Sequence, residues 1–174
     1  MTYSIYLRPL QIADAQTSYR WRNNPDVWKL TGSKPDKYIT PEMETAWLNG
    51  VLKRGTEARF AICLKTDDRY IGNIHLQNIA GKQAEFGGLF IGETSLWGKG
   101  IGTQATTLLL AHAFMSLNLD SLYGFVRKEH DASLAMLKKT GFEPEPEAEG
   151  HIRIFLTKDE WLLKNKEVGT AVHS

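Results

Sequence analysis

Residues 93–103 read ETSLWGKGIGT and place glycines at positions 98, 100 and 102, between a predicted strand and a predicted helix. Because glycine has no side chain, backbone N–H groups of such a turn can point at one anion, beside the positive end of the helix dipole. A Walker loop needs Ser or Thr directly after Gly-Lys, but Gly100 follows Lys99. The dinucleotide fingerprint needs two residues between its second and third glycines. The segment therefore predicts a phosphate or pyrophosphate site of another type, with simple chain reversal as the alternative.

Composition limits what the rest of the chain can be. The 174 residues carry 42% hydrophobic and 24% charged side chains, which predicts one folded domain over residues 1–174 with a frayed tail at about 168–174. The net charge of +1 argues against nucleic-acid binding, and no apolar run is long enough to span a membrane. Cys63 is the only cysteine, so we expect no disulfide, no thiolate zinc site and a cytoplasmic location.

The hydrophobic pattern predicts alternating strands and helices around one sheet. Short turn-rich links join the strands at 59–65, 70–79 and 83–91, which favours antiparallel hairpins. The other predicted strands are residues 2–10, 121–127 and 151–156. The predicted helices run from about 14 to before Pro25, from Thr40-Pro41 to Gly55, over 103–117 and 131–140, and from 157 onward. The Pro- and Glu-rich residues 143–149 predict an exposed loop. The fold class is mixed α/β (α+β), with a mostly antiparallel central sheet flanked by helices.

Several segments in this order resemble the GNAT acyl-CoA N-acyltransferase superfamily, from residue 7 to residue 161. They are the glycine turn, the strand after its helix, DAS at 131–133 and KKTGF at 138–142. Within the superfamily, WGKGIG at 97–102 is similar to the ribosomal-protein N-terminal acetyltransferase branch. WRNNP at 21–25 and IGNI at 71–74 resemble landmarks of the same branch.

The resemblance implies that acetyl-CoA lies between splayed strands 83–91 and 121–127, with its pyrophosphate on backbone amides of residues 97–103. It assigns to this site Leu89, Phe90, Ile91, Trp97, Gly98, Lys99, Gly100, Ile101, Gly102, Thr103 and Ser133. Independently of the resemblance, the pair Gly87-Gly88 inside a strand predicts a bulge or a close backbone approach. An unpaired N–H at Leu89 or Phe90 would then polarise the thioester carbonyl. No metal is expected.

Acyl transfer needs a neutral amine, so a side chain or water must accept a proton. Glu85 is the first candidate base, because it resembles a glutamate that some superfamily members use at this point of the strand. His75, on the neighbouring strand, is the second candidate and a candidate acceptor-binding residue. Each can also be a residue without a catalytic role. Cys63 has no histidine at a diagnostic spacing, which favours direct attack over a covalent enzyme intermediate.

The usual group that protonates the leaving thiolate is missing. Many superfamily members place a tyrosine one turn after an Asn-x-Ala-Ser landmark, but Leu137 stands at the tyrosine position and His130 at the asparagine position. Ser133, Tyr123, His130 or water would have to serve instead. A binding module that holds acyl-CoA without turnover therefore remains an alternative to an enzyme.

The acceptor side is predicted less sharply. Trp21 and Arg22 fall in the N-terminal helical part that covers the acceptor in this superfamily, although aromatic residues at helical spacing also form cores. Arg22 and Asn23 belong to a Trp-Arg-Asn segment that resembles one in acetyltransferases of nucleotide-linked amino sugars. We therefore expect a small-molecule amine or a protein N-terminus as acceptor, and a monomer or homodimer.

Overall fold

Seven strands form one sheet in the computed structural model, which describes residues 2–166. In chain order they are β1 (Ile5–Pro9), β2 (Ala58–Leu64), β3 (Tyr70–Ala80), β4 (Gln83–Ile91), β5 (Ser121–Arg127), β6 (Glu143–Pro144) and β7 (His151–Thr157). Their order across the sheet is β1-β2-β3-β4-β5-β7-β6, and within these residues only β4 and β5 pair in parallel. The predicted mixed and mostly antiparallel sheet is confirmed.

Helices cover both faces of this sheet. They are α1 (Ala15–Asn23), α2 (Pro25–Thr31), α3 (Pro41–Val51), α4 (Ile101–Ala111), α5 (Asp131–Lys139) and α6 (Lys158–Lys164), and α4 continues into a π turn at His112–Ser116. None of the helices within residues 2–166 combines the length and the apolar character that a bilayer crossing requires.

Two hydrophobic clusters lie on opposite faces, because successive side chains of a strand alternate. Ile62 and Leu64 of β2 belong to the larger cluster, which contains Leu109 and Phe114. Ala61 and Cys63 belong to the smaller cluster with Trp21, Leu48 and Tyr70. The helices α1 and α3 therefore cover one end of a sheet face, and the remainder of that face is free to line a site.

An additional helix, α2, follows directly after the predicted stop at Pro25. α1 ends at Asn23, as the proline predicts, but the Asn24 side chain then accepts a hydrogen bond from the Asp26 N–H at 3.0 Å. Pro25 takes the first helical position, where a missing N–H costs nothing. Thr40 and Pro41 form the same arrangement at the predicted start of α3. The Asn-Pro pair thus both ends one helix and begins the next.

Two other boundaries differ from the prediction. α3 ends at Val51 rather than near Gly55, because the N–H groups of Lys53 and Arg54 turn back to carbonyls three residues earlier. The proline-rich segment is also not wholly irregular: Glu143 and Pro144 pair with β7 as the short edge strand β6. An edge position tolerates Pro144, since its missing N–H would have faced away from the sheet. The predicted frayed tail lies outside the described residues.

Candidate active site

The parallel strands β4 and β5 separate after three residues of pairing. Register partners are Gln83 with Ser121, Ala84 with Leu122 and Glu85 with Tyr123, and β4 has no pairing with β5 beyond Glu85 within the described residues. Strand β4 nevertheless continues to Ile91 on its other neighbour, β3. The predicted splay is confirmed, and it leaves one backbone edge of β4 facing a gap.

The register of β3 and β4 decides which backbone groups face this gap. The Gly92 N–H donates to the Ile71 carbonyl at 2.7 Å, and hydrogen-bonded pairs alternate along an antiparallel ladder. Phe90 therefore directs its backbone groups at β3, whereas Leu89 and Ile91 direct theirs into the gap. The Trp97 indole Nε1–H donates to the Ile91 carbonyl at 2.8 Å, which agrees with this alternation. Of the two residues proposed to polarise the thioester, Leu89 has the suitable orientation.

A bulge interrupts β4 at the predicted glycine pair. His75 opposes Gly88 and Leu76 opposes Phe86, so Gly87 is the extra residue. A Cβ on Gly87 would lie 2.3 Å from His75 Nε2. The bulge prediction is confirmed, and its physical reason is the space that the His75 ring occupies.

A cleft of about 880 Å³ opens between the helical layer and the splayed strands. Its lining combines the ends of α1 and α2 with β3, with β4 from Phe86 to Phe90, with the end of β5 and with α5. The predicted site residues in this lining are Trp21, Arg22, His75, Leu89, Phe90 and Ser133. Glu85 and the turn 97–103 are not part of it.

His75 is half-buried in the cleft wall and hydrogen-bonded to Gln77, which links it to Glu85. Its Nε2 lies 3.1 Å from Gln77 Oε1, and the Gln77 amide Nε2 donates to Glu85 Oε2. Burial lowers the pKa of His75 from its ordinary 6.5, and the Arg59 guanidinium lowers it further. The imidazole is therefore neutral at pH 7 and able to accept a proton. Glu85 does not line the cleft, and its link to the cleft is the hydrogen bond that it accepts from Gln77.

Two arginines of the cleft wall pack on one tryptophan of α3. Arg22 and Arg59 lie over the ring of Trp47 at 5.2 and 5.4 Å from its centroid. Glu44 binds Arg22 at 3.2 Å and Glu57 binds Arg59 at 2.7 Å, but neither carboxylate lines the cleft. Burial raises the pKa of Glu44, and the Arg22 guanidinium acts in the opposite direction.

Trp21 contributes mainly to the core. Its side chain is 5% exposed and packs against Tyr70 and Phe90, with ring centroids 4.7 and 5.9 Å away. Gly92 makes room for the indole, because a Cβ there would lie 2.0 Å from the ring. Trp21 therefore offers an acceptor little contact surface.

The glycine turn places the start of α4 at the outer end of β4. Gly98 and Gly100 have φ of +73° and +78°, and no atom lies within 4 Å of a Cβ at either position. Backbone conformation, rather than crowding, therefore requires these glycines. Gly100 caps α4 without a side-chain hydrogen bond. The first N–H groups of the helix are thus left for a ligand, as an anion site needs.

The α5 side of the cleft carries the residues that replace the missing tyrosine. Ser133 is exposed on the first turn of α5 and lines the cleft with His130. Leu137 also lines the cleft, with 3% of its surface exposed, but its apolar side chain has no proton to donate. Tyr123 is paired with Glu85 and lies outside the lining. Ser133 and His130 are accordingly the candidates that reach the cleft.

Sequence reasoning missed Asn73, Gln77 and Arg59, all of which line the cleft. A signal was present: Asn73, His75 and Gln77 alternate with buried residues along β3. Such alternation usually marks a solvent-facing strand surface, and only the register with β2 and β4 reveals a cleft wall. Residues 2–166 hold no cluster of three or more side chains placed to bind a metal ion.

Comparisons with known proteins identify the family and the fold. The family model described as "Acetyltransferase (GNAT) domain" matches residues 4–143. The probable N-acetyltransferase YjcK of Bacillus subtilis (strain 168) is 32% identical over 158 residues, which cover 87% of each chain. Two solved structures share the fold. One is FdhC in its apo form, described as a nucleotide-linked sugar GNAT, with a TM-score of 0.80 and 19% identity over 97% of this chain and 96% of that one. The other is spermidine N-acetyltransferase from Vibrio cholerae in complex with CoA and spermine, with a TM-score of 0.78 and 21% identity over 91% of this chain and 98% of that one.

Proposed function

The chain belongs to the acetyltransferase (GNAT) domain family and is an acyl-CoA-dependent N-acetyltransferase, and we propose that its acceptor is a primary amine that also carries an anionic group. The charge of the cleft carries this proposal. Among the described residues, no Asp or Glu lines the cleft, whereas three arginines do: Arg22 of α1, Arg59 of β2 and Arg127 of β5. Glu44 and Glu57, which lie outside the lining, pair with Arg22 and Arg59. A nucleotide-linked amino sugar fits this chemistry, because guanidinium groups recognise phosphate oxygens in a bidentate manner.

Acetyl-CoA is the proposed acetyl donor, and the backbone near β4 and α4 suits it. The gap beside β4 can take the pantetheine arm, and the uncapped start of α4 can take the pyrophosphate. The Leu89 N–H, which faces the gap, would donate to the thioester oxygen as negative charge develops there. The acceptor amine attacks the carbonyl carbon directly, and the bond to sulfur breaks. A thiol pKa near ~8.5 makes the thiolate a tolerable leaving group even with Leu137 at the tyrosine position.

Two other acceptors have a specific observation in their favour. The WGKGIG turn resembles the ribosomal-protein N-terminal acetyltransferase branch, which supports a protein N-terminus. A structural neighbour is named for spermidine and was crystallised with spermine, which supports a polyamine. Among residues 2–166, no carboxylate lines the cleft to pair with the positive charges of a polyamine, so we rank polyamines last.

A non-catalytic acyl-CoA-binding module is the remaining alternative, because Leu137 and His130 replace the expected residues. Consumption of acetyl-CoA separates an enzyme from such a module. We also propose a cytoplasmic location, which the single free thiol of Cys63 supports. The proposal further includes one domain over residues 1–174 and a monomeric or homodimeric state.

Thiol release from acetyl-CoA tests the acceptor class. We would offer a nucleotide-linked amino sugar, a short peptide with a free N-terminus and spermidine at equal concentrations. We expect turnover of the amino sugar and none of spermidine. Preference for spermidine would reject the anionic acceptor, and turnover of the peptide alone would favour the N-terminal branch.

A substitution pair locates the anionic group. Arg22→Lys should raise the acceptor KM about tenfold, or ~1.4 kcal/mol, and leave the KM for acetyl-CoA unchanged. Arg20→Lys is the matched control, because Arg20 lies on the same helix, is exposed and does not line the cleft. Equal effects of the two substitutions would remove Arg22 from acceptor binding.

A further inference from the structure

Three polar side chains form a continuous hydrogen-bonded row across β3 and β4. His75 contacts Gln77, and Gln77 contacts Glu85, which also accepts a hydrogen bond from Asn78 Nδ2 at 3.4 Å. Gln77 and Glu85 are direct register partners, and His75 lies two residues before Gln77 on the same face of β3. The row begins beside the paired part of β4 and β5 and ends in the cleft.

The direction of the row follows from the chemistry of its members. An ionised carboxylate only accepts hydrogen bonds, so Glu85 must be met by the NH₂ group of the Gln77 amide. The amide oxygen of Gln77 then faces His75 Nε2, and this nitrogen must carry the hydrogen. The neutral imidazole has one N–H, which leaves the lone pair on Nδ1.

Nδ1 lies on the side of the ring that faces the splayed part of β4. A Cβ on Gly88 would lie 3.5 Å from Cε1 and 3.9 Å from Nδ1 of His75, and Gly88 lines the cleft. Within the described chain, no hydrogen bond reaches Nδ1. Among the described residues, Thr106 Oγ1 is the one side-chain N or O atom that is both buried and without a hydrogen-bond partner. Nδ1 of His75 also has no partner, so it is not fully buried and remains accessible from the cleft.

We propose that Glu85 and Gln77 are positioning residues that hold the proton of His75 on Nε2, so that Nδ1 accepts a proton from the acceptor ammonium. The proposal rests on the proposed acetyl transfer and deepens it. It also changes the role of Glu85, because this carboxylate acts through Gln77 and does not meet the acceptor.

The proton balance of the step is complete. The acceptor ammonium gives one proton to Nδ1 and becomes a neutral amine, whose lone pair forms the new bond to the acetyl carbon. The carbon–sulfur bond breaks, and its electron pair leaves with sulfur. The second proton of nitrogen goes to the departing sulfur or to water, and His75 returns its own proton to solvent.

The charges around His75 keep it neutral enough to accept that proton. Arg59 is its register partner on β2 and disfavours a cationic ring, while Glu57 and Glu85 favour one. No charged residue opposes His75 on β4, where its partner is Gly88. Burial and Arg59 outweigh the two carboxylates, and the pKa of His75 lies below 6.5. Below its own pKa the ring is already protonated, and only there should it lose its capacity to accept a proton.

Long-range ¹H–¹⁵N NMR of the His75 ring in the full chain tests the tautomer without any acceptor. We expect a neutral ring at pH 7 with its hydrogen on Nε2. A hydrogen on Nδ1 would overturn the proposal. This measurement is independent of turnover, so it separates a failure of the positioning row from a failure of the proposed acetyl transfer, which would show as no thiol release with any amine.

A substitution at the middle of the row tests its function. Gln77→Leu removes the partner of Nε2, and we expect kcat to fall about 10²-fold with the KM for acetyl-CoA unchanged, because misplacing the ring by about 1 Å costs that much. Gln83→Leu is the matched control, since Gln83 is an exposed glutamine of β4 outside the cleft. An unchanged kcat and an unchanged His75 spectrum in Gln77→Leu would refute the row.

The exchanged pair Gln77→Glu with Glu85→Gln keeps an acceptor for His75 Nε2 and reverses the hydrogen bond between positions 77 and 85. In this double variant, a carboxylate at 77 accepts from both His75 and the amide at 85. We expect most of kcat to return relative to Gln77→Glu alone, in which two carboxylates meet. The acid limb of the kcat profile should move to higher pH, because a carboxylate in direct contact raises the pKa of His75. A double variant that is no better than the single one would contradict the proposal.

Discussion

Gly87→Ala should displace the ring that we propose as proton acceptor. The added Cβ would lie 2.3 Å from His75 Nε2 and 2.9 Å from Gln77 Oε1. An ordinary contact begins at 3.4 Å, so the ring or the strand must shift by about 1.1 Å, the difference between 3.4 and 2.3 Å. A misplacement of about 1 Å costs ~10²-fold in rate, and we expect kcat to fall by that factor.

The stability of Gly87→Ala should change less than its activity. Overpacking costs about 1–3 kcal/mol, whereas replacing glycine returns about 0.4–1 kcal/mol through the unfolded chain. We therefore expect a net loss of roughly 0–2.5 kcal/mol in the free energy of unfolding by urea, small enough for the fold to persist.

Gly88→Ala is the matched control for this displacement. A Cβ there would meet His75 Cε1 at 3.5 Å, which is an ordinary van der Waals contact. The ¹⁵N signals of the His75 ring should move in Gly87→Ala and stay near their wild-type positions in Gly88→Ala. Wild-type kcat together with wild-type His75 signals in Gly87→Ala would refute the position of the His75 ring against the bulge.

Three further predictions concern the turn, the pH dependence and a helix cap. Gly100→Ala should lose about 1–2 kcal/mol, because its φ is +78°, and should weaken acetyl-CoA binding in calorimetry, whereas Gly50→Ala in open space on α3 should be neutral or stabilising. The unfolded state binds a proton at His75 more readily than the folded state, so wild-type stability should fall as the pH drops through 6.5 to the lowered folded pKa. Urea titrations should show that this slope is lost in His75→Gln. Thr157→Ala should cost about 1 kcal/mol in the same assay, because Thr157 Oγ1 accepts the Glu160 N–H at 3.1 Å.

Local signals in the sequence predicted most of the elements. The strands that became β2, β3 and β4 were predicted within one residue at every end, because their links are too short for anything but hairpins. The N-cap of α3 at Thr40 was correct, since the cap needs only residues within one turn. The same reasoning applied to Asn24 would have predicted α2, so the prediction was wrong in treating Pro25 as a stop signal alone.

Non-local contacts account for what was missed. β6 forms because Glu143 and Pro144 meet Phe155 and Ile154, and nothing within the proline-rich segment predicts that encounter. The polar positions of β3 were visible as an alternation, but one strand does not reveal whether its polar face meets water or a cleft.

By itself, the sequence determined the order of the strands and helices other than α2 and β6, the glycine turn before α4 and the glycine pair in β4, because each depends on backbone preferences within a few residues. The tertiary structure alone decided which of these groups meet. Glu85 reaches the cleft only through Gln77, and His75 fits only because the bulge at Gly87 leaves its ring room. Cross-strand register brings such residues together across gaps in sequence that no local pattern encodes, and that register is set by how the sheet twists, splays and is covered by its helices.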